Sequence, residues 1–199
     1  VLARDEKTGL GAYQFTQPRR TKETDDYSKT ESCYGDRAKR QFGPEFGERA
    51  LEAKILRSGG ASSIYSKNAL MQLQVAKETG EDAKDILDWT YRGLISFAKY
   101  AYIPETNSFR TMFTDGTDLT GYVLKRDGYY GKAGSVLKSF FADCNYLLSY
   151  SRAFLDIGDI ELWRMSRNIA KGNGLGELGF EPGEGTNVNF NTECSDPVA

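Results

Sequence analysis

Apolar positions along this chain recur mainly at three- and four-residue spacing, the period of helices with one buried face. Pro44 suits a first helical position, and "EFGERALEAKIL" continues from it toward a stop at Ser58–Gly60, which predicts a first helix. Ser62 or Ser63 can cap a second, lined by Ile64, Leu70, Met71, Leu73 and Val75 and stopped by Gly80. A third begins near Asp82, carries Ile86, Trp89, Gly93, Leu94, Phe97 and Ala101, and ends before Pro104. The one clear β signal is "SFRTMFTDGTDLTGYVL", two short runs joined at Asp115-Gly116, a hairpin-turn dipeptide. "SVLKSFFADCNYLLSYSRAFLDIG" then predicts a long helix with a wide apolar stripe from Val136 to Leu155, stopped by Gly158. Asp159 caps a last helix, "IELWRMSRNIAKG".

Between these elements the chain is polar. Residues 17–40 are mixed in charge and read as a long surface loop, and residues 173–199 are a loop-rich tail with many Gly and Asn. One internal echo organises the rest. "ETGEDAKDILDW" and "DIGDIELW" each run helix, Gly, acidic cap, apolar helix, Trp. Each predicts a tight antiparallel helix hairpin, the unit from which α/α toroids are stacked. The expectation is a mainly α chain: part of an (α/α) barrel or toroid of antiparallel helix hairpins, with one β-hairpin decorating its cleft. Five predicted helices cannot close a ring of roughly twelve or fourteen. Residues 1–199 are therefore expected to be a single domain within a longer protein, with an apolar flank exposed or covered by another segment.

Composition adds limits. With 199 residues, net charge −2 and 39% hydrophobic content, the chain is long enough for a core and lacks the bulk basic field of a nucleic-acid binder. No run of about 18 apolar residues predicts a membrane span. Histidine is absent, which removes the commonest general base and transition-metal ligand, and with them any Ser/His/Asp set. Cys33, Cys144 and Cys194 form no CxxC pair; Cys144 lies on an apolar helix face and reads as a core residue, while a bridge between the other two stays open.

Charge is unevenly placed. Residues 121–132, "GYVLKRDGYYGK", hold Lys125, Arg126 and Lys132, three tyrosines and three glycines. With Lys138 and Asp127, the stretch 121–138 carries +3, leaving −5 elsewhere. Glycines permit close approach of a ligand, cations pair with carboxylates, and tyrosine rings offer an apolar face with a hydroxyl at the edge. That combination suits an acidic sugar polymer. It also fits a solvated loop whose tyrosines pack on helices, and phosphate ligands share the ingredients. The candidate substrate-binding set is Arg110, Lys125, Arg126, Tyr129, Tyr130 and Lys132. Asp115 and Asp118 read as turn residues, with a catalytic or metal-binding carboxylate at Asp118 the sharper alternative. Arg19, Arg20 and Lys22 belong to the mixed-charge loop, and Arg37, Lys39 and Arg40 read as surface pairing with Asp36 and Glu45 at a helix start, with a substrate contact as the alternative. "GLGELG" follows a helix, so the strand–loop–helix order of a nucleotide fingerprint is not met.

"TGLGAYQFTQP", "DRAKRQFGPEFGERALEAKIL", "IYSKNALMQLQ", "DGTDLTGYVLKRDGYYGKAGSVLK" and "WRMSRNIAKGNGLGELG" together resemble the periplasmic pectate lyases, polysaccharide lyase family 2. The resemblance implies an (α/α) barrel, β-elimination of polygalacturonate, a periplasmic location with a cytoplasmic one as the alternative, an arginine base, and a divalent, manganese-like transition metal held by His and Glu. A chain without histidine cannot complete that metal site, so the resemblance implies a C-terminal portion, with metal ligands and base in the missing N-terminal portion as its partner. No metal ligand and no catalytic residue is assigned here. Two other readings stand beside it: an inverting glycoside hydrolase on an α/α barrel, using two carboxylates, and a non-catalytic uronic-acid-binding helical scaffold.

Overall fold

The computed structural model describes residues 4–12, 38, 41–51, 54–58, 64–184 and 187–188. The chain falls into two compact units: residues 1–56 with 111–138, and residues 57–110 with 139–199. Its regular structure is mainly helical, with a few short antiparallel strands.

Among its described residues the second unit is built on four helices, α1 (Lys67–Thr79), α2 (Lys84–Ala101), α3 (Cys144–Ile157) and α4 (Ile160–Gly172). They form the two hairpins that the sequence echo predicts. Gly80 ends α1 at φ 73° and a short 3-10 turn, Gly80–Ala83, leads into α2. Gly158 ends α3 in the left-handed region at φ 75°, and the Asp159 carboxylate accepts from Glu161 N to start α4. Glycine avoids the Cβ clash there, and the Asp side chain satisfies an N–H that the helix itself leaves open.

Rings hold this unit together. Tyr65 stacks on Phe97 at 4.4 Å and Phe97 on Phe109 at 5.1 Å, both within 7° of parallel. Tyr146 lies 5.6 Å from Phe97 and 5.8 Å from Phe109. Tyr150 is wholly buried and donates its hydroxyl to Leu94 O at 2.7 Å. Cys144 is buried, as its helix position implies. Strands β2 (Tyr102–Ile103) and β3 (Ser108–Phe109) pair around the turn after α2, where Asn107 takes φ 51° and accepts from the Tyr102 hydroxyl.

Several expectations are corrected. The helix foreseen from Ser135 begins at Cys144, where Asp143 caps it. Residues 135–143 are held instead by strand-like bonds, Phe109 with Phe140 and Val123 with Val136. The buried face of α3 is Cys144, Tyr146, Ser149, Tyr150 and Ala153, not the leucine stripe, and Leu148 and Leu155 are exposed. On α1 the buried face is Ala69, Leu73 and Ala76, with Met71 and Val75 outside. Leu73 is buried as its spacing predicts, while the other long apolar residues of these stripes give way to small residues and tyrosines.

The first unit is irregular. The helix expected from Pro44 is only a 3-10 turn, Pro44–Arg49, because Gly47 leaves helical geometry at φ 50°, ψ −134°. Ile55–Leu56 then form β1 and pair antiparallel with β4 (Met112–Phe113). The Asp115-Gly116 turn forms, with Gly116 at φ 90° and Phe113 N bonded to Thr117 O, but its ladder is a single bridge, Met112 with Asp118. The core gathers Phe42, Ile55, Phe113, Leu119, Leu124 and Leu137. Phe42 is its hub, with Phe46, Phe113, Tyr122 and Tyr130 rings at 5.3–5.8 Å. In the tail, Gly176–Glu177 (β5) pairs with Asn187–Val188 (β6).

Two outcomes follow for the helical unit. Phe97→Ala removes the central ring of the stack and is expected to cost about 3–5 kcal/mol, measured by denaturant unfolding. Burial raises the Tyr150 phenol well above its ordinary range. A raised folded value means the contribution is complete below about pH 10 and is lost as pH rises through that folded value. Tyr150→Phe is therefore expected to lessen the loss of stability in alkaline melts.

Candidate functional site

Residues 121–137 form a second hairpin, with no regular ladder. Gly121 N bonds to Leu137 O, Leu137 N to Tyr122 O, Leu124 N to Ser135 O and Gly134 N to Leu124 O. Gly121 and Gly134 supply positive φ at its bends, 85° and 82°. At its tip Gly128 and Gly131 exchange both backbone bonds, at 3.0 and 3.2 Å, around Tyr129-Tyr130. The Asp127 carboxylate accepts from Ala133 N at 2.7 Å.

This hairpin carries five of the six candidate residues. Lys125, Arg126 and Lys132 are exposed, and among the described residues none of them is in an ion pair. Lys125 Nζ lies 5.8 Å from the Tyr122 ring centre, within cation–π range. Tyr129 is 56% exposed. Tyr130 is half-buried, its ring edge-on to Phe42 and to Tyr129, so it anchors the tip to the core. Arg110 belongs to the helical unit, where its guanidinium donates to Tyr102 O at 2.6 Å.

Two residues outside the candidate set shape the hairpin. The Gln41 side chain donates to Gly131 O at 2.6 Å and accepts from Tyr130 N at 2.8 Å. The Tyr122 hydroxyl accepts from Gly43 N at 2.8 Å and lies 3.4 Å from Glu45 Oε1. Burial, with the nearby Glu45 carboxylate adding to it, raises the Tyr122 phenol above its ordinary range. Neither contact has a local sequence signal, since each joins residues about eighty or ninety positions apart.

The acidic candidates act as turn residues. Asp115 accepts from Thr117 N at 2.8 Å, and Asp118 from Thr120 N at 2.7 Å. After α4, Gly174–Gly179 contains β5, so no phosphate loop precedes a helix there. Among the described residues no group of three His, Cys, Asp or Glu could hold a metal ion, and the chain has no histidine. The described side chains thus do not fit a transition-metal centre. No helix among the described residues is long and apolar enough to cross a membrane. The candidates Arg19, Arg20, Lys22, Arg37, Lys39 and Arg40, and Cys33 and Cys194, lie outside the described residues, as does the loop 17–40 apart from Ala38.

Comparison with known proteins gives this hairpin a context. A family model described as periplasmic pectate lyase matches residues 1–199. A protein of Dickeya dadantii (strain 3937) named pectate disaccharide-lyase is 44% identical over 163 residues. That alignment covers 81% of this chain and 30% of the relative's length.

Exposure orders the tyrosines of the hairpin. Limited nitration, read by peptide mass spectrometry, is expected to label Tyr129 ahead of Tyr122 and Tyr130.

Proposed function

This chain belongs to the periplasmic pectate lyase family, and on that premise we propose that it supplies substrate-binding residues to an enzyme cleaving polygalacturonate by β-elimination. The observation that carries the proposal is the hairpin at 121–137, which presents Lys125, Arg126 and Lys132 to solvent without ion-pair partners among the described residues. The related Dickeya protein is named pectate disaccharide-lyase, which agrees with an acidic sugar substrate.

The chemistry sets what such a hairpin must do. In β-elimination a base removes the proton at C5, a double bond forms between C4 and C5, and the C4–oxygen bond breaks. The leaving oxygen takes up a proton. The C5 proton is acidified only when the adjacent carboxylate is neutralised, since the charge of the enolate-like intermediate spreads onto it. Arg126 can grip a uronate carboxylate with two parallel N–H bonds, while Lys125 and Lys132 act as point charges. The exposed Tyr129 ring offers a face for a sugar ring. Arg110 is proposed as a further carboxylate contact.

We place the base, and the divalent metal that this family implies, outside the described residues. The chain spans about 30% of its Dickeya relative's length, which leaves room for both in a longer polypeptide. In the same reading the two helix hairpins are part of an (α/α) barrel, and the location is periplasmic.

The full-length polypeptide mixed with polygalacturonate and a divalent metal is expected to produce the ultraviolet absorbance of unsaturated uronides. Reducing ends without that absorbance would mean hydrolysis instead. Lys125→Ala combined with Arg126→Ala is expected to raise KM about ten- to a hundredfold, through lost carboxylate binding.

A further inference from the structure

We propose that Gln41 is a positioning residue for the substrate hairpin, holding its tyrosine tip by acting as an extra peptide group. The proposal rests on the reading above that this hairpin binds uronate.

The tip needs such help. A two-residue hairpin loop matches the twist of its strands when its central residues take positive φ, usually as Asn-Gly or Gly-Gly. Tyr129 and Tyr130 occupy those places, and neither has positive φ. Their turn is therefore poorly matched to the strands, and only the Gly128–Gly131 pair closes it from within. Gln41 adds two bonds from outside. Its amide oxygen takes the Tyr130 N–H and its amide nitrogen fills the second acceptor position of Gly131 O. Gln41 is 1% exposed, and a buried amide needs partners within the fold. One bond lies at Tyr130 and the other immediately before Lys132, which ties aromatic and cation to one frame.

Gly128 fits the same device. Its φ is not positive, so backbone freedom does not require glycine there. A Cβ at Gly128 would instead stand 2.8 Å from Gln41 Oε1 and 3.0 Å from Gln41 Cδ. The missing side chain makes room for the amide.

Three variants of the full-length polypeptide separate this role from simple packing. Gln41→Met keeps the volume without the hydrogen bonds, Gln41→Ala removes both, and Gly128→Ala pushes on the amide. All three are expected to speed hydrogen exchange of the 126–133 peptide and to raise KM about five- to tenfold, with kcat within about twofold. Wild-type exchange and KM in Gln41→Met would overturn the proposal, because packing alone would then suffice. An equal fall in kcat with unaltered KM would overturn it too. Should Gln41→Ala fail to fold, Gln41→Met and Gly128→Ala carry the same test. The Lys125→Ala, Arg126→Ala pair tells the two readings apart. If that pair leaves KM unaltered, the substrate role of the hairpin fails. If it raises KM while the Gln41 variants bind as wild type, only the positioning role fails.

Discussion

A glycine-rich hairpin without a regular ladder must find partners for its backbone groups one by one, and the first unit is arranged around that need. Its arms are joined by scattered bonds between Gly121 and Leu137, Tyr122 and Leu137, and Leu124 and Ser135. Side chains complete the set: Thr111 donates to Lys138 O, Asp127 accepts from Ala133 N, and Gln41 meets the tip. Buried polar groups without partners are costly, which weighs most at the buried Gln41, while the Asp127 bond to Ala133 N is exposed. The aromatic hub at Phe42 then fixes the hairpin from below through Tyr122 and Tyr130.

The helical unit solves a different problem. Its helices are short, from 13 to 18 residues, and short helices draw most of their stability from packing. Parallel rings from Tyr65, Phe97, Phe109 and Tyr146 supply that packing. Tyr150 and Ser149 bring hydroxyls into the same interior, each bonded to a backbone carbonyl. Several large apolar side chains stay outside, among them Leu148, Leu155, Ile157 and Ile160.

Local chemistry made part of this readable in advance. Gly80, Gly158 and Asp159 announce helix ends through backbone geometry and capping, and each acts as its residue type requires. The mainly helical character followed from the spacing of apolar residues. The 3-10 turn at Pro44 did not, because Gly47 leaves helical geometry inside it, and nor did the late start of α3, whose preceding residues are held by strand-like bonds to Phe109 and Val123. Ile55 and Leu56 read as the end of a helix until Phe113 and Met112 pair with them. In the candidate site, clustered charge and aromatic residues singled out residues 121–132, and the structure folds them as a hairpin. Gln41 was invisible, since a lone glutamine has no pattern and its partners lie about ninety residues away.

Asp127 has one more consequence. It is the only acid between Gly121 and Lys138, and its carboxylate is tethered to Ala133 N inside the turn. Among the described residues it forms no ion pair with Lys125, Arg126 or Lys132, so these cations meet solvent directly. For the polyanion proposed as substrate, ionic strength, which shortens the reach of such fields to about 10 Å at 0.1 M, would set how far from the surface these cations are first felt.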